Sequence, residues 1–446
     1  MGTLWPEKNR KTFLLYLWPE RIVNLRPRHH RMFLRRVLPN LAGLAGLTAL
    51  AAGCYWCARL AWADYLFRLD TLESVSRAAH LVPANAEYHE RLATLLDSDS
   101  RNGSSVESEL HQAVAANPRL AAAWTELALR AETAGKMQPA EAYLVRAAAA
   151  DRMYSTLWTL ANFYFRQNAT EKFWPAAKRA LRAGDVTAYD PAPLFRLCWK
   201  ISANPATVLE RAIPDAGPVE ARYLEFLVRE NLTSVAEPVT ERLVAFGSEQ
   251  DLDAVFLYCD RLIAAGDADG GIHAWNALCW RRLPSYQPID PQASAALTNG
   301  DFSSPPLQHG FDWRMPAVTG VAVERAGLPP RLWITLDGHE PETCDVLEQF
   351  VALAPSRRYR LRFRYQTDDI AAGSGLRWRI STSRGEEIAS EGADLASEQQ
   401  ADGTVRFTVP PGVPLARLAL SYRRTPGTTR IEGRVALESA SLEFDR

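Results

Sequence analysis

At 446 residues the chain has room for two or three domains. Its 47% hydrophobic and 23% charged residues suffice for a sizeable core and exclude wholesale disorder. A formal net charge of −1 argues against a general nucleic-acid binder.

That average conceals an asymmetry. Residues 1–36 carry nine basic side chains, from Lys8 to Arg36, against Glu7 and Glu20. Anionic lipid headgroups attract such a block at roughly 1 kcal/mol per charge. Phe13, Leu14, Leu15, Leu17 and Trp18 are interleaved with it, so an interfacial segment and a solvated tail both remain open.

The twenty residues LPNLAGLAGLTALAAGCYWC, Leu38 to Cys57, contain no charge. As a helix they span roughly the 30 Å hydrocarbon layer. Tyr55, Trp56, Trp62 and Tyr65 suit the far interface, where Arg59 can snorkel outward. The basic block then keeps the N-terminal side cytoplasmic. A cleaved signal has a shorter apolar run nearer the start, which favours an uncleaved anchor. Ala51-Ala52-Gly53-Cys54 resembles a bacterial lipobox, so lipidation of Cys54 is the competing mode of attachment. A redox role for Cys54 and Cys57 would need a βαβ context that the pattern does not give. Ala45, Ala49, Gly53 and Cys57 recur at four-residue spacing, a small-residue stripe along which two membrane helices can approach. It is the candidate surface for self-association.

Helical periodicity follows. In AAAWTELALRAETAGKMQPAEAYLVRAAAADR, large residues stand at Trp124, Leu127 and Leu144, and small ones at Ala128, Ala140 and Ala147, around a turn at Gly135. Leu110 and Ala113 lie 34 residues before Leu144 and Ala147, and Trp158 lies 34 after Trp124. This pattern resembles the tetratricopeptide repeat (TPR) over roughly residues 70–184. Looser helix pairs continue to about 295 and are read as degenerate repeats completing a solenoid. The resemblance implies a groove for a protein partner, with Trp124, Trp158 and Tyr164 as lining candidates; packing between repeats is the competing role of these rings. Asp267-Ala268-Asp269-Gly270-Gly271 lacks the ligand spacing of a calcium loop and reads as a turn.

From LTNGDFSSPPLQHGFDWR (297–314) onward the period changes to two. RLWITLDG, VLEQFVALAP, YRLRFRYQT, LRWRIST, TVRFTV, LARLALSYR and RVALESASLEF are predicted strands, enough for a β-sandwich. With the opening Asn299-Gly300-Asp301-Phe302, the GFDWR at 310–314 and the closing Leu442-Glu443-Phe444, this segment resembles the galactose-binding-like jelly rolls of the carbohydrate-binding families. That resemblance implies rings stacking on sugars, with Trp313, Trp333, Tyr365 and Trp378 as candidates and Gln366, Asp368 and Arg379 as polar partners. In LRWRIST, however, Trp378 shares a face with Leu376 and Ile380, which points it to the core. Related modules often carry a structural calcium near the first strand; Asp301 is either its ligand or a turn cap.

No HExxH, GxSxG, P-loop or GxGxxG motif occurs, and no carboxylate pair is singled out, so a non-enzyme without an obligatory cofactor or metal is expected. The predicted fold class is multidomain: a basic cytoplasmic segment (1–37), a single transmembrane helix (38–61), an all-α TPR-like solenoid (62–295), and an all-β jelly-roll sandwich (296–446). The predicted function is a scaffold in the bacterial inner membrane with its bulk periplasmic. It would hold a protein partner on the solenoid and glycan or a second protein on the sandwich, in cell-envelope or exopolysaccharide assembly. A lipoprotein, a protein-only secretion factor and an envelope glycan hydrolase are the alternatives.

Overall fold

A computed structural model describes residues 30–97, 103–183, 186–215, 217–281, 286–293, 297–389 and 394–445, with side chains from Gly43 onward. The interfacial segment expected around Phe13–Trp18 lies outside the described residues. The chain divides into two compact units, 1–118 and 119–446.

In the first unit α1 is one helix, His30–Arg68. Its part Gly43–Arg68 is long and apolar enough to cross a membrane, and a signal sequence has the same properties. Every side chain from Gly43 to Ala58 is exposed, including Ala45, Ala49, Gly53 and Cys57. The helix does not stop near residue 61. With no proline or glycine between Cys54 and Arg68 it continues as the first helix of the soluble fold. Ala63 and Leu66 bury against Val75, Ala78, Tyr88 and Leu92 of α2 (Leu72–Leu81) and α3 (Ala86–Leu96). Arg59 does not snorkel: its Nε donates to the Leu81 carbonyl at 2.7 Å, an oxygen that the end of α2 leaves without a helical partner. A reciprocal Thr71–Ser74 capping box starts α2 and Asn85 caps α3. Buried His89 ties α3 to α4 (Gly103–Ala116) through Glu109, at 2.7 Å.

The second unit opens with helix pairs. These are α5 (Ala121–Thr133) with α6 (Met137–Ala150), α7 (Tyr154–Arg166) with α8 (Thr170–Leu181), and α9 (Ala192–Ile201) with α10 (Pro205–Arg211). Then come α11 (Gly217–Arg229) with α12 (Glu237–Phe246) and α13 (Asp253–Ala265) with α14 (Ala268–Trp280). Fully buried Ala140, Ala161, Ala177 and Ala180 let the backbones approach. The turn after α5 needs a positive φ, supplied by Gly135 at +73°; Asn168, at +54°, serves the turn after α7. The 34-residue period is visible as chemistry. Arg166 grips Glu132 with two bonds of 2.8 and 2.7 Å, and Arg196 grips Glu230, each pair exactly one repeat apart in sequence.

Among the described residues nine antiparallel strands complete the unit: β1 (Val321–Ala326), β2 (Arg331–Asp337), β3 (Thr343–Ala352), β4 (Arg358–Asp368), β5 (Leu376–Thr382), β6 (Glu387–Ala389), β7 (Ala401–Thr408), β8 (Leu415–Arg423) and β9 (Glu432–Phe444). They form a five-stranded sheet, β1-β2-β9-β4-β7, packed on a four-stranded sheet, β3-β8-β5-β6. Alternation works as expected: Tyr359, Leu361, Phe363 and Tyr365 face the core, while Arg360, Arg362, Arg364 and Gln366 face away. The NGDF and GFDWR motifs are structural. Trp313 Nε1 donates to the Asn299 carbonyl at 3.0 Å and its ring packs on Phe302, 5.7 Å between centroids.

Candidate functional site

A sandwich has two outer faces, and here they have different fates. The face of the four-stranded sheet meets the solenoid. Ala352 and Leu415 join the solenoid core, together with Phe311, and Phe350 packs against it. Phe311 sits edge-on to Trp275 of α14, 6.0 Å between centroids. Gly310, at φ +59°, presses so closely on Trp275 that a Cβ there would stand 2.4 Å from the ring.

Polar bonds lock the same joint. Asp260 of α13 accepts from the Gly310 amide and from Arg314, both at 2.6 Å, and pairs with His309 Nδ1 at 2.6 Å. Arg314 also lies over the Phe350 ring, 4.7 Å from its centroid. Asp312, with no exposed surface, accepts from the amides of Leu307 and Trp313 and from the Tyr286 hydroxyl. Burial pushes its carboxyl above the usual range, against the pull of those bonds. Farther along this face Arg417 is held between Glu348 and Asp345, and Ser421 donates to Asp345.

The outer face of the five-stranded sheet is lined with polar side chains in register. Arg360 stands between Arg406 and Glu443, Arg362 between Thr404 and Ser441, and Arg364 between Asp402 and Ser439. Next, Gln366 and Trp333 flank Ala436, and Asp368 and Thr335 flank Arg434. The first three rows line an open cleft of about 770 Å3. Arg364 Nε donates to Asp402 at 2.9 Å and holds that carboxyl below its usual range.

Against this geometry the predicted sugar-stacking residues separate. Trp333 is on the open face, half-buried, with the Arg434 guanidinium 4.8 Å from its ring centroid. The same face brings it together with Gln366 and Asp368. Trp313 and Trp378 have no exposed surface and Tyr365 is buried, so none of these rings offers a face to a sugar. Arg379 belongs to the other sheet, where it binds Glu387. Asp301 is exposed and accepts from the Ser303 amide at 3.1 Å, the geometry of a turn cap.

Of the predicted groove rings, Trp124 and Tyr164 are packing elements. Trp124 is buried, stacked on Tyr143 with Arg146 over it. Tyr164 is buried, its hydroxyl donates to Glu141, and burial followed by that carboxylate pushes it up to about 12. Trp158 is half-buried against the core. The depressions on the solenoid lie elsewhere. One of about 420 Å3 is lined by Tyr189, Phe195, Arg222, Phe226 and Arg229; a second, of about 390 Å3, shares Arg229 and adds Val228, Leu257 and Arg261. Sequence reasoning missed this groove, and it missed the cleft arginines although the alternation in RYRLRFRY places Arg360, Arg362 and Arg364 on one face. It also passed over Glu237, Glu241 and His273, exposed on α12 and α14 with ligand atoms within 4.8 Å of one another, a set of the type that binds divalent metals.

No protein-family model matches the chain, and no curated protein matches it in sequence. Solved structures are similar to its parts. A CBM4 carbohydrate-binding module is 15% identical over 34% of this chain and 100% of its own, with a TM-score of 0.27. PilF of Pseudomonas aeruginosa is 19% identical over 45% of this chain and 92% of its own, with a TM-score of 0.25. YrrB, described as a TPR protein with an unusual peptide-binding site, is 12% identical over 48% of this chain and 100% of its own, with a TM-score of 0.24. By its own helix pairs and strand registers the chain is an apolar N-terminal helix, a helical-repeat region and a two-sheet antiparallel sandwich.

Proposed function

We propose that this chain is a membrane-anchored scaffold that binds without turning over its ligand. α1 crosses the bacterial inner membrane once, with the N-terminus cytoplasmic and the helical repeats and sandwich in the periplasm. The groove on α9, α11 and α13 takes a protein partner, and the sandwich takes glycan or a second protein, in cell-envelope or exopolysaccharide assembly. One observation carries the reading: the sandwich is fixed to the solenoid through one sheet while the other sheet presents a ring and rows of polar side chains. A rigidly mounted, open, polar face suits holding a ligand. The non-enzymatic part draws support from the cleft carboxylates. Asp402 and Glu443 are paired with Arg364 and Arg362 at 2.9 and 3.4 Å, and Asp402, whose carboxyl its arginine holds below the usual range, is a poor general acid.

The test is a binding and turnover assay on the full chain in phosphatidylcholine nanodiscs, with neutral glucans, xylan and acidic polysaccharides. Binding without product is the expected result. Product formation that disappears in Asp402→Asn would establish the hydrolase alternative, and a C-terminal reporter active only in the cytosol would overturn the topology.

A further inference from the structure

The cleft over β4, β7 and β9 has a composition unlike a stacking platform. Its walls are Arg360, Arg362, Arg364 and Arg406, with Asp402 and Glu443, and the hydroxyls of Thr404, Ser439 and Ser441 lie between them. The arginines are only partly engaged. Arg362, Arg364 and Arg406 each contact a carboxylate through Nε, with Glu443, Asp402 and Asp445 as partners at 3.4, 2.9 and 3.6 Å. Their terminal nitrogens donate no hydrogen bond among the described residues, and these three side chains are half or more exposed. Arg360 is bound to Asp445, yet its shielded Nε has no partner among the described residues. Arg362 and Arg364 sit two residues apart on one strand face, so their forks stand roughly 7 Å apart at the backbone.

Such forks match a carboxylate with two parallel bonds. Asp402 and Glu443 impose a second requirement: the ligand must also bring hydroxyl donors beside its negative charges. Phosphate groups bring charge without donors and would face these two carboxylates with nothing to offer them. An acidic peptide would need an apolar centre to anchor on, and Phe363, the one apolar side chain lining the cleft among the described residues, is buried toward the sandwich core. A chain of sugars bearing carboxylates presents both functions on every unit.

Resting on the scaffold reading above, we infer that the cleft formed by Arg360, Arg362, Arg364 and Arg406 is a binding site for acidic, uronate-bearing polysaccharide. The guanidinium forks take the carboxylates, while Asp402, Glu443 and the three hydroxyls take the sugar hydroxyls.

The full chain in phosphatidylcholine nanodiscs is titrated calorimetrically with polygalacturonate, with neutral xylan and with poly-glutamate. Polygalacturonate should bind, more weakly as salt rises, because exposed charges are screened. The double variant Arg362→Gln, Arg364→Gln should lose about tenfold in affinity for it, corresponding to about 1.4 kcal/mol. Arg362→Lys keeps the charge without the fork and should fall between. All three substitutions lie on the exposed face, and an unchanged melting curve separates lost binding from lost fold. Unaltered polygalacturonate affinity in the double variant overturns the inference, as does poly-glutamate binding equally well. Xylan binding that depends on Trp333 without any uronate binding overturns it while sparing the glycan reading. Binding of neither glycan overturns both.

Discussion

Both outer faces of the sandwich carry arginines and put them to different use. On the four-stranded sheet Arg314 and Arg417 are enclosed by Asp260, Glu348 and Asp345, and apolar contact from Phe311, Phe350 and Leu415 seals the joint. On the five-stranded sheet Arg362, Arg364 and Arg406 approach their partners through Nε, and their side chains stay half or more exposed. Burial makes the difference. A partly enclosed charge must have its partners in place, because an unpaired one costs several kcal/mol, whereas an exposed pair contributes ~1 kcal/mol or less. The first face is a structural joint; the second keeps its donors for a ligand.

Substitutions sharpen that contrast. Phe311→Ala removes the apolar plug of the joint and should cost about 3–5 kcal/mol in urea unfolding followed by tryptophan fluorescence. Asp260→Ala strands Arg314 and two further donors, and about 3 kcal/mol is expected, with solenoid and sandwich melting separately in calorimetry. Gly310→Ala must move Trp275 or abandon its left-handed backbone, at about 1–3 kcal/mol by the same unfolding measurement. On the open face, Arg364→Gln should leave the urea midpoint nearly unchanged. A loss there as large as that of Asp260→Ala would erase the distinction between the faces. Trp333→Ala should likewise leave the melting temperature nearly unchanged while weakening neutral-glycan binding.

Much of the fold was legible because its periods are strong. RYRLRFRY and LARLALSYR alternate cleanly and became β4 and β8. β1 and β6 went unseen: both are edge strands, one nearly all exposed and one only three residues long, so neither carries a buried stripe. Trp378 was readable as core from its phase with Leu376 and Ile380, while nothing local distinguishes Trp313 from Trp333. Their fates depend on which segment plugs the sandwich and which strand is left uncovered, a tertiary matter. Trp124 and Tyr164 are buried and do not line a groove, for a related reason. The repeats with the clearest signature are those whose aromatics are used in packing, and the depressions lie among α9–α14, where the register has drifted. The joint itself, Asp260 with His309, Gly310 and Arg314, spans about fifty residues and leaves no periodic trace.

Hydrogen–deuterium exchange on the full chain in phosphatidylcholine nanodiscs, with and without polygalacturonate, tests the open-face account most directly. The account predicts slowing confined to residues 358–366, 401–406 and 439–443, with 307–314 and 343–352 slow in both states. Slowing in the four-stranded sheet or the solenoid, with none around β4, β7 and β9, would contradict it.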